Sequence, residues 1–157
     1  MTRKKPNGTM NLNHSALHVL HRAGQTAQEI FASAAGSLDL TPRQLIVLSP
    51  IHDNPKCNQT AIVQNTGIDR STIAELIRRL EKRNLVLRKR SKTDARSYVV
   101  DLTEQGRTIL KRGVPLAAKV DDAVLTVLGA KSRKDLLMSL TRMIDGLQSP
   151  DQSRKSH

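Results

Sequence analysis

The hydrophobic residues of this chain recur at helical spacing along most of its length. Residues 13–35 carry one apolar stripe, from Leu17 to Ala34, and Gly36 ends the helix that this stripe predicts. Thr41 begins a second helix, because Thr, Pro and Gln at positions 41, 42 and 44 form a capping box with proline at the first helical position. The buried side of this helix is predicted to consist of Ile46, Val47 and Ile51, and Asn54-Pro55 ends it.

Two shorter helices with a tight turn between them follow in residues 58–83. Asn58 and Asp69 are good N-caps, since their side-chain oxygens accept from the N–H groups of a first turn. Gly67 provides the left-handed conformation that ends the first of these helices. The second helix has an apolar face and an opposite face that is polar and cationic. The apolar face consists of Ile73, Leu76, Ile77 and Leu80, and the opposite face carries Ser71, Glu75, Arg78 and Lys82.

A hairpin is predicted immediately after these helices. Asn84 tolerates the left-handed position that follows a helix, and residues 85–87 begin a strand. Residues 98–102 alternate at strand spacing, and the intervening segment RKRSKTDAR at 88–96 is strongly basic. Helix, turn, helix and basic hairpin together predict a winged helix-turn-helix. The predicted fold class is mainly α with a small β-hairpin wing.

The remaining helices follow the hairpin. Thr103 caps a long helix that is predicted to run to Leu128 with Pro115 inside it. Gly129 breaks the chain, and Ser132 opens a last helix whose apolar stripe extends to Leu147. The predicted domains are a basic disordered tail at 1–12, a helical region at 13–35 and 103–147, a winged domain at 36–102 and a disordered polar tail at 148–157.

The helices outside the winged domain present a packing problem. Residues 13–35, 116–128 and 132–147 are apolar on one face, so a monomer would have to fold them back or expose them. Large exposed apolar patches usually mark interfaces. Two interpretations stay open on the pattern alone: a dimerisation region, or a self-contained helical cap on a monomer.

The net charge of the chain indicates what kind of molecule it binds. The chain has 157 residues and a formal net charge of +12, which favours a polyanion such as nucleic acid or an anionic membrane surface. No apolar run approaches the roughly 20 residues that span a bilayer. The opening MTRKKPNG lacks the apolar core of a signal peptide. The single cysteine, Cys57, excludes an internal disulfide and is typical of a reducing cytoplasm.

Several segments resemble the MarR family of bacterial transcription regulators over residues 14–147, most closely over 41–106. The resemblance implies a homodimer whose terminal helices interlock, and a small organic effector, aromatic or acidic, bound between those helices and the winged domains. In that family the wing carries an Asp-x-Arg signature with a second Arg in the middle, where this chain has Ala95. The matching segments are LTPRQLIVL at 40–48, GIDRST at 67–72, RRLEKRNLVLR at 78–88 and DAR followed by LTEQG at 94–106.

The predicted DNA contacts follow from this interpretation. The helix at 69–83 is expected to enter the major groove of an inverted repeat in double-stranded DNA. Residues nearest the bases are Arg70, Ser71, Thr72, Glu75 and Arg78, whereas Arg79 and Lys82 are expected to contact phosphate. On the wing, Arg96 is expected to reach the minor groove with Asp94 orienting it, and Arg88, Arg90 and Lys92 to contact the backbone.

Four side-chain assignments keep alternatives open. Glu75 is spaced to pair with Arg78 or Arg79 but could instead accept from a cytosine amino group. His18 and Arg22 are candidate contacts for an anionic effector, with plain solvation as the alternative. His14, His18 and His21 share a helix face, but no nearby acid or thiol completes a metal site, so solvated histidines are favoured and no metal is predicted. Because some members of the resembled family sense metals, a metal-sensing role stays the alternative. Cys57 is interpreted as a packing residue rather than a redox sensor.

The sequence offers no positive support for catalysis. It has no nucleophile–base arrangement, no Gly-rich phosphate loop and no paired carboxylates at a plausible cleft. The prediction is therefore a cytoplasmic transcription regulator, acting as a repressor, and not an enzyme. Two rival classes remain: a basic module that binds RNA or a membrane surface, and a winged helix that recruits a protein partner.

Overall fold

The computed structural model of the protein describes residues 11–91 and 98–148. This part of the chain is mostly helical with one small antiparallel sheet, which confirms the predicted fold class. Single 3-10 turns precede α1 at Leu12–His14 and follow it at Gly36–Leu38. The elements in chain order are α1 (Ala16–Ala35), α2 (Pro42–Asp53), β1 (Cys57–Asn58), α3 (Gln59–Thr66), α4 (Arg70–Lys82), β2 (Val86–Arg90), β3 (Tyr98–Leu102), α5 (Glu104–Leu125) and α6 (Ala130–Gln148).

The predicted helix starts of the winged region are confirmed by their hydrogen bonds. Thr41 and Gln44 form a complete capping box at α2. The Asn58 side chain accepts from the backbone N–H of Ala61 at 2.8 Å and so begins α3. Gly67 follows α3 with a φ of 67°, in the left-handed region where glycine carries no side-chain penalty. These local contacts fix the starts of α2 and α3 and the end of α3.

The sheet has three strands in the order β1-β3-β2, all antiparallel. In the hairpin, Val86 lies opposite Leu102 and Arg90 opposite Tyr98. Tyr98 is 51% exposed at the start of β3. Strand β1 was not predicted, because two residues carry no alternation and only pairing with β3 defines them as a strand.

The core of the winged region lies between the inner faces of α2, α3 and α4 and the sheet. Val47, Ile62, Ile73 and Leu80 are each fully shielded from solvent. Ile46 was predicted to join this core, but it is 48% exposed. The buried face of α2 instead includes Leu45 and Leu48, because α2 packs on its neighbours along a stripe rotated away from Ile46. Such tertiary packing is not visible in the sequence of one helix.

Close backbone contact joins the turn between α4 and β2 to the start of α5. The Thr103 hydroxyl accepts from the N–H of Gly106 at 2.9 Å, which confirms Thr103 as the cap of α5. The same hydroxyl donates to the Asn84 carbonyl at 2.6 Å. A Cβ added at Gly106 would lie 1.9 Å from the Leu85 carbonyl oxygen, so only glycine allows this approach.

Three helix boundaries differ from the predicted ones. Helix α1 begins at Ala16 rather than at residue 13, because Ser15 accepts from the His18 N–H at 3.3 Å and caps it. Helix α5 ends at Leu125, three residues before the predicted Leu128. Helix α6 begins at Ala130 rather than after Ser132, and the Arg133 N–H donates to the Gly129 carbonyl at 3.0 Å. Ser132, the predicted start of the last helix, therefore lies inside α6.

The chain divides into two compact units, of which the first ends at Val120 and the second begins at Asp121. In the first, α1 buries only Phe31, and Leu17 on the same helix is 76% exposed. In the second, no side chain between Ala130 and Leu147 is buried. None of the described helices has both the length and the hydropathy needed to cross a membrane.

Candidate DNA interface

Helix α4 is held by the core on one side and open on the other. Ile73, Ile77 and Leu80 are at most 2% exposed. On the outer side, the Arg78 and Arg79 side chains are 56% and 65% exposed, and Ser71 and Lys82 are exposed as well. Leu76, predicted as part of the apolar face, is half-buried at its edge. The two faces lie as the sequence predicts, so α4 has the arrangement that a recognition helix needs.

The start of α4 is organised by one carboxylate. Asp69 accepts from the Thr72 backbone N–H at 2.9 Å, which confirms it as the N-cap. It also accepts from the hydroxyl of Ser71 at 2.5 Å and from the hydroxyl of Thr72 at 2.6 Å. These two hydroxyls and the N–H hold the pKa of Asp69 well below its usual range. Ser71 and Thr72, both predicted base contacts, thus have fixed orientations.

Glu75 pairs with both neighbouring arginines. One carboxylate oxygen accepts from Arg79 Nε at 2.8 Å, and the other forms an ion pair with Arg78. The hydrogen bond from Arg79 is the main reason why the pKa of Glu75 is lowered. Of the two interpretations of Glu75, the intrahelical pair is the one present in the structure. It holds both guanidinium groups against the outer face of α4.

Helix α3 contacts the recognition helix through its own first turn. Arg70 donates to the Thr60 hydroxyl at 3.0 Å, and Gln59 donates to the Arg70 backbone carbonyl at 3.0 Å. The Arg70 side chain therefore lies against α3 as well as at the start of α4. Sequence reasoning did not single out Gln59 and Thr60, because nothing in their spacing connects them to Arg70.

The described part of the wing is tied to α4. The Arg88 guanidinium contacts the Glu81 carboxylate at 2.7 and 2.9 Å. Arg90, a predicted backbone contact, is exposed at the end of β2, and Lys56 and Lys89 add positive charge around the outer face of the sheet. The other predicted wing residues, Lys92, Asp94 and Arg96, lie outside the described residues.

A second tether holds the end of α4. Arg83 contacts the Asp39 carboxylate at 3.2 Å and the Gln44 side-chain oxygen at 3.3 Å. Gln44 is itself buried and belongs to the α2 capping box. Arg83 thus connects the recognition helix to the segment between α1 and α2. In the sequence, Arg83 is one of several neighbouring basic residues, and nothing there distinguishes it as a contact to the α1–α2 segment.

The remaining candidate side chains are placed as follows. Cys57 is half-buried on β1, and burial raises the pKa of its thiol, which favours the packing interpretation. His14 and His21 are exposed and His18 is half-buried. Residues 11–91 and 98–148 contain no group of three or more His, Cys, Asp or Glu arranged to hold a metal ion.

Two helices joined by a tight turn, α3 and α4, are followed by the antiparallel hairpin of β2 and β3, and this order defines a winged helix-turn-helix protein. The sequence model of the MarR family matches residues 40–98. The HTH-type transcriptional repressor NicR of Pseudomonas putida is 31% identical over 128 residues, which cover 82% of this chain and 81% of NicR. The chain therefore belongs to the MarR family and is a DNA-binding transcriptional regulator. The resemblance inferred from the sequence is confirmed.

Two proteins of known structure share the fold. BpsR of Bordetella bronchiseptica, whose DNA binding is regulated by 6-hydroxynicotinic acid, is 29% identical with a TM-score of 0.81, covering 88% of this chain and 99% of BpsR. The transcriptional repressor CouR, bound to a 23-mer DNA duplex, is 33% identical with a TM-score of 0.77, covering 91% of this chain and 99% of CouR. CouR is also known bound to p-coumaroyl-CoA.

Proposed function

We propose that this protein is a homodimeric repressor that binds an inverted repeat in double-stranded DNA and is released by a small organic acid. The observation that carries the proposal is the two-sided environment of α4. Its inner residues Ile73, Ile77 and Leu80 are at most 2% exposed, so the core fixes the helix. Its outer side chains remain accessible to the edges of base pairs in a major groove.

The proposed contacts are those that the sequence predicted, except that Arg88 has a different role. Arg70, Ser71, Thr72, Glu75 and Arg78 lie nearest the bases, and Arg79 and Lys82 contact phosphate. On the wing, Arg90 and Lys92 contact the backbone, and Arg96, oriented by Asp94, enters the minor groove. Arg88 contributes mainly by holding the wing to α4, because its guanidinium already pairs with Glu81.

The homodimer is supported by the exposed apolar surface of the outer helices. On α1, Leu17 is 76% exposed, and on α6, Leu137 and Leu147 are 52% and 80% exposed. Surfaces of this kind in water usually belong to an interface. A two-fold dimer places two recognition helices on half-sites about 10 base pairs apart, centre to centre.

Release by an organic acid is supported by the relatives and by one groove. BpsR is regulated by an aromatic acid, and CouR binds an aromatic thioester. A groove of about 590 Å³ lies between α2 and α5 with Leu110, Val114 and Pro115 along it and Lys111 at its edge. Arg107 also borders the groove, but it forms ion pairs with Asp101 at 3.9 Å and with Glu104 at 3.4 Å. Lys111 is therefore the better partner for the carboxylate of an effector. His18 and Arg22 do not border this groove, and their role remains a prediction.

Footprinting with a salt titration tests the DNA-binding proposal. The purified protein should protect an inverted repeat upstream of a neighbouring gene, and its affinity should fall steeply with salt as counterions are released. Arg78→Ala should relax base preference at one position of each half-site, by about 1–3 kcal/mol. Equal binding to operator and scrambled DNA would instead favour the RNA, membrane or protein-recruiting alternatives.

A paired substitution tests the effector site. Aromatic acids are first screened for release of bound DNA, and the affinity of an active acid is then measured for Lys111→Ala and Arg22→Ala. Weaker binding in Lys111→Ala alone assigns the acid to the α2–α5 groove, whereas weaker binding in Arg22→Ala alone assigns it to α1. If no acid releases DNA, the effector proposal is wrong and the DNA-binding proposal stands.

A further inference from the structure

Asp69 fixes the direction of two hydrogen bonds at the start of the recognition helix. An ionised carboxylate only accepts hydrogen bonds. The hydroxyls of Ser71, at 2.5 Å, and of Thr72, at 2.6 Å, must therefore both donate to it. The low pKa of Asp69 keeps this carboxylate ionised throughout the pH range of DNA-binding assays.

A hydroxyl that has donated its hydrogen can only accept. It has one hydrogen and two lone pairs, so Ser71 and Thr72 present lone pairs alone to any further partner. In the major groove, the donors are the N6 amino group of adenine and the N4 amino group of cytosine. Guanine and thymine present acceptors, which would face these lone pairs unfavourably.

We propose that Asp69 is a positioning residue that turns Ser71 and Thr72 into selective readers of the amino groups of adenine and cytosine. Serine and threonine otherwise accept or donate and discriminate poorly between bases. The proposal rests on the proposed DNA-binding function, because it requires the start of α4 to face base edges. It assigns a specificity-determining role to a residue that sequence reasoning treated only as a helix cap.

Asp69→Asn separates this role from helix capping. Asparagine is as good an N-cap as aspartate, so α4 should keep its start. The Thr72 N–H and the Ser71 hydroxyl both bond to the same oxygen of Asp69, and the Thr72 hydroxyl bonds to the other. The amide oxygen should keep the first position, and the amide NH₂ should then face the Thr72 hydroxyl. Thr72 would accept from the amide and have its hydrogen available for thymine or guanine.

The experiment selects binding sites from a randomised duplex library with the full-length protein and three variants. Thr72→Val, which keeps the shape of the side chain, locates the base position that Thr72 reads, and Ser71→Ala locates the other. Wild type should prefer adenine or cytosine at both positions, by roughly tenfold or more. Asp69→Asn should change the preference at the Thr72 position to thymine or guanine and leave the Ser71 position unchanged.

A change in the DNA provides a test that does not depend on folding of a variant. Removing the amino group from the adenine or cytosine at the Thr72 position should weaken wild-type binding by roughly tenfold and leave Thr72→Val unaffected. Preferences that are identical in wild type and folded Asp69→Asn, or no effect of removing the amino group, would overturn this inference while leaving a sequence-specific regulator. The absence of any selected sequence would overturn the proposed function itself.

Discussion

The apolar side chains of the winged core are buried, whereas most of those of the last helix are exposed. In the core, Ile62, Ile73 and Leu80 are completely buried within one chain. In α6, Ile144 is 47% exposed and Leu147 is 80% exposed. Both segments have helical apolar stripes, so their sequence patterns alone do not distinguish them.

The contrast shows which part of the protein is complete in a single chain. The core obtains its burial within one chain, from α2, α3, α4 and the sheet, with α5 packed closely against Leu85 and Leu45. On the proposed function, α6 obtains its burial from a second copy of the chain. The stability of the core should then depend little on protein concentration, whereas the order of α6 should depend on it strongly, because association is linked to folding by mass action.

The largest effect is expected from a cavity in the core. Leu80→Ala removes a fully buried side chain and should lower the free energy of unfolding by about 2–5 kcal/mol. Ile46→Ala is the control, since Ile46 lies on the neighbouring α2 but is 48% exposed and should cost much less. Urea unfolding of both variants measures the difference, and equal losses would contradict the assignment of the buried face of α2.

The next effect concerns α6. Leu140→Asp places a charge in the predicted apolar stripe and should weaken dimerisation by about 2 kcal/mol or more. Met138→Asp introduces the same charge on the opposite face of the same helix and should weaken it less. Sedimentation across the micromolar range compares the two. A wild-type protein that stays monomeric throughout that range would show that α6 is not a dimer interface.

A substitution on the wing should change neither the free energy of unfolding nor the strength of dimerisation. Arg96→Ala should weaken operator binding by about 1–3 kcal/mol, most at sites with A·T-rich flanks whose minor groove is narrow. Lys92→Ala should weaken all sequences alike and reduce the salt slope by about one unit. Binding isotherms at several salt concentrations measure both. Wild-type operator affinity in Arg96→Ala would refute the minor-groove assignment.

The smallest effect is expected at Cys57, which is half-buried on β1. Burial raises the pKa of its thiol, so the reactive thiolate is scarcer at neutral pH than in an exposed cysteine. Alkylation by iodoacetamide should be slower in the folded protein than in urea, and it should accelerate as pH rises toward the raised pKa. A rate in the folded protein equal to that in urea would favour the redox-sensor interpretation.

What the sequence predicted well is what short-range contacts determine. Asn58, Asp69 and Thr41 each cap a helix through bonds to residues three positions away, and Gly67 ends one by its own backbone conformation. The exposed face of α4 followed from its periodicity. These features need no information from distant parts of the chain.

What the sequence missed depends on contacts between distant segments. Arg83 bonds to Gln44, 39 residues away, and its basic neighbours in the sequence gave no sign of this tether. Strand β1 exists only because Cys57 and Asn58 pair with β3. The orientation of Ser71 and Thr72 required the positions of both hydroxyls relative to Asp69. In each case the sequence contains the residue that makes the contact, but it does not show that the two residues lie close together in space.

The nearly aromatic-free composition gives the wing its own optical signal. Tyr98 is the only tyrosine in the chain, and there is no tryptophan. It stands half-exposed on β3, directly opposite Arg90, at the base of the loop proposed to contact DNA. The tyrosine emission of the protein therefore comes from the wing alone, because the single phenylalanine, Phe31 on α1, absorbs at shorter wavelengths. Contact between the wing and a duplex can be followed in the unlabelled protein.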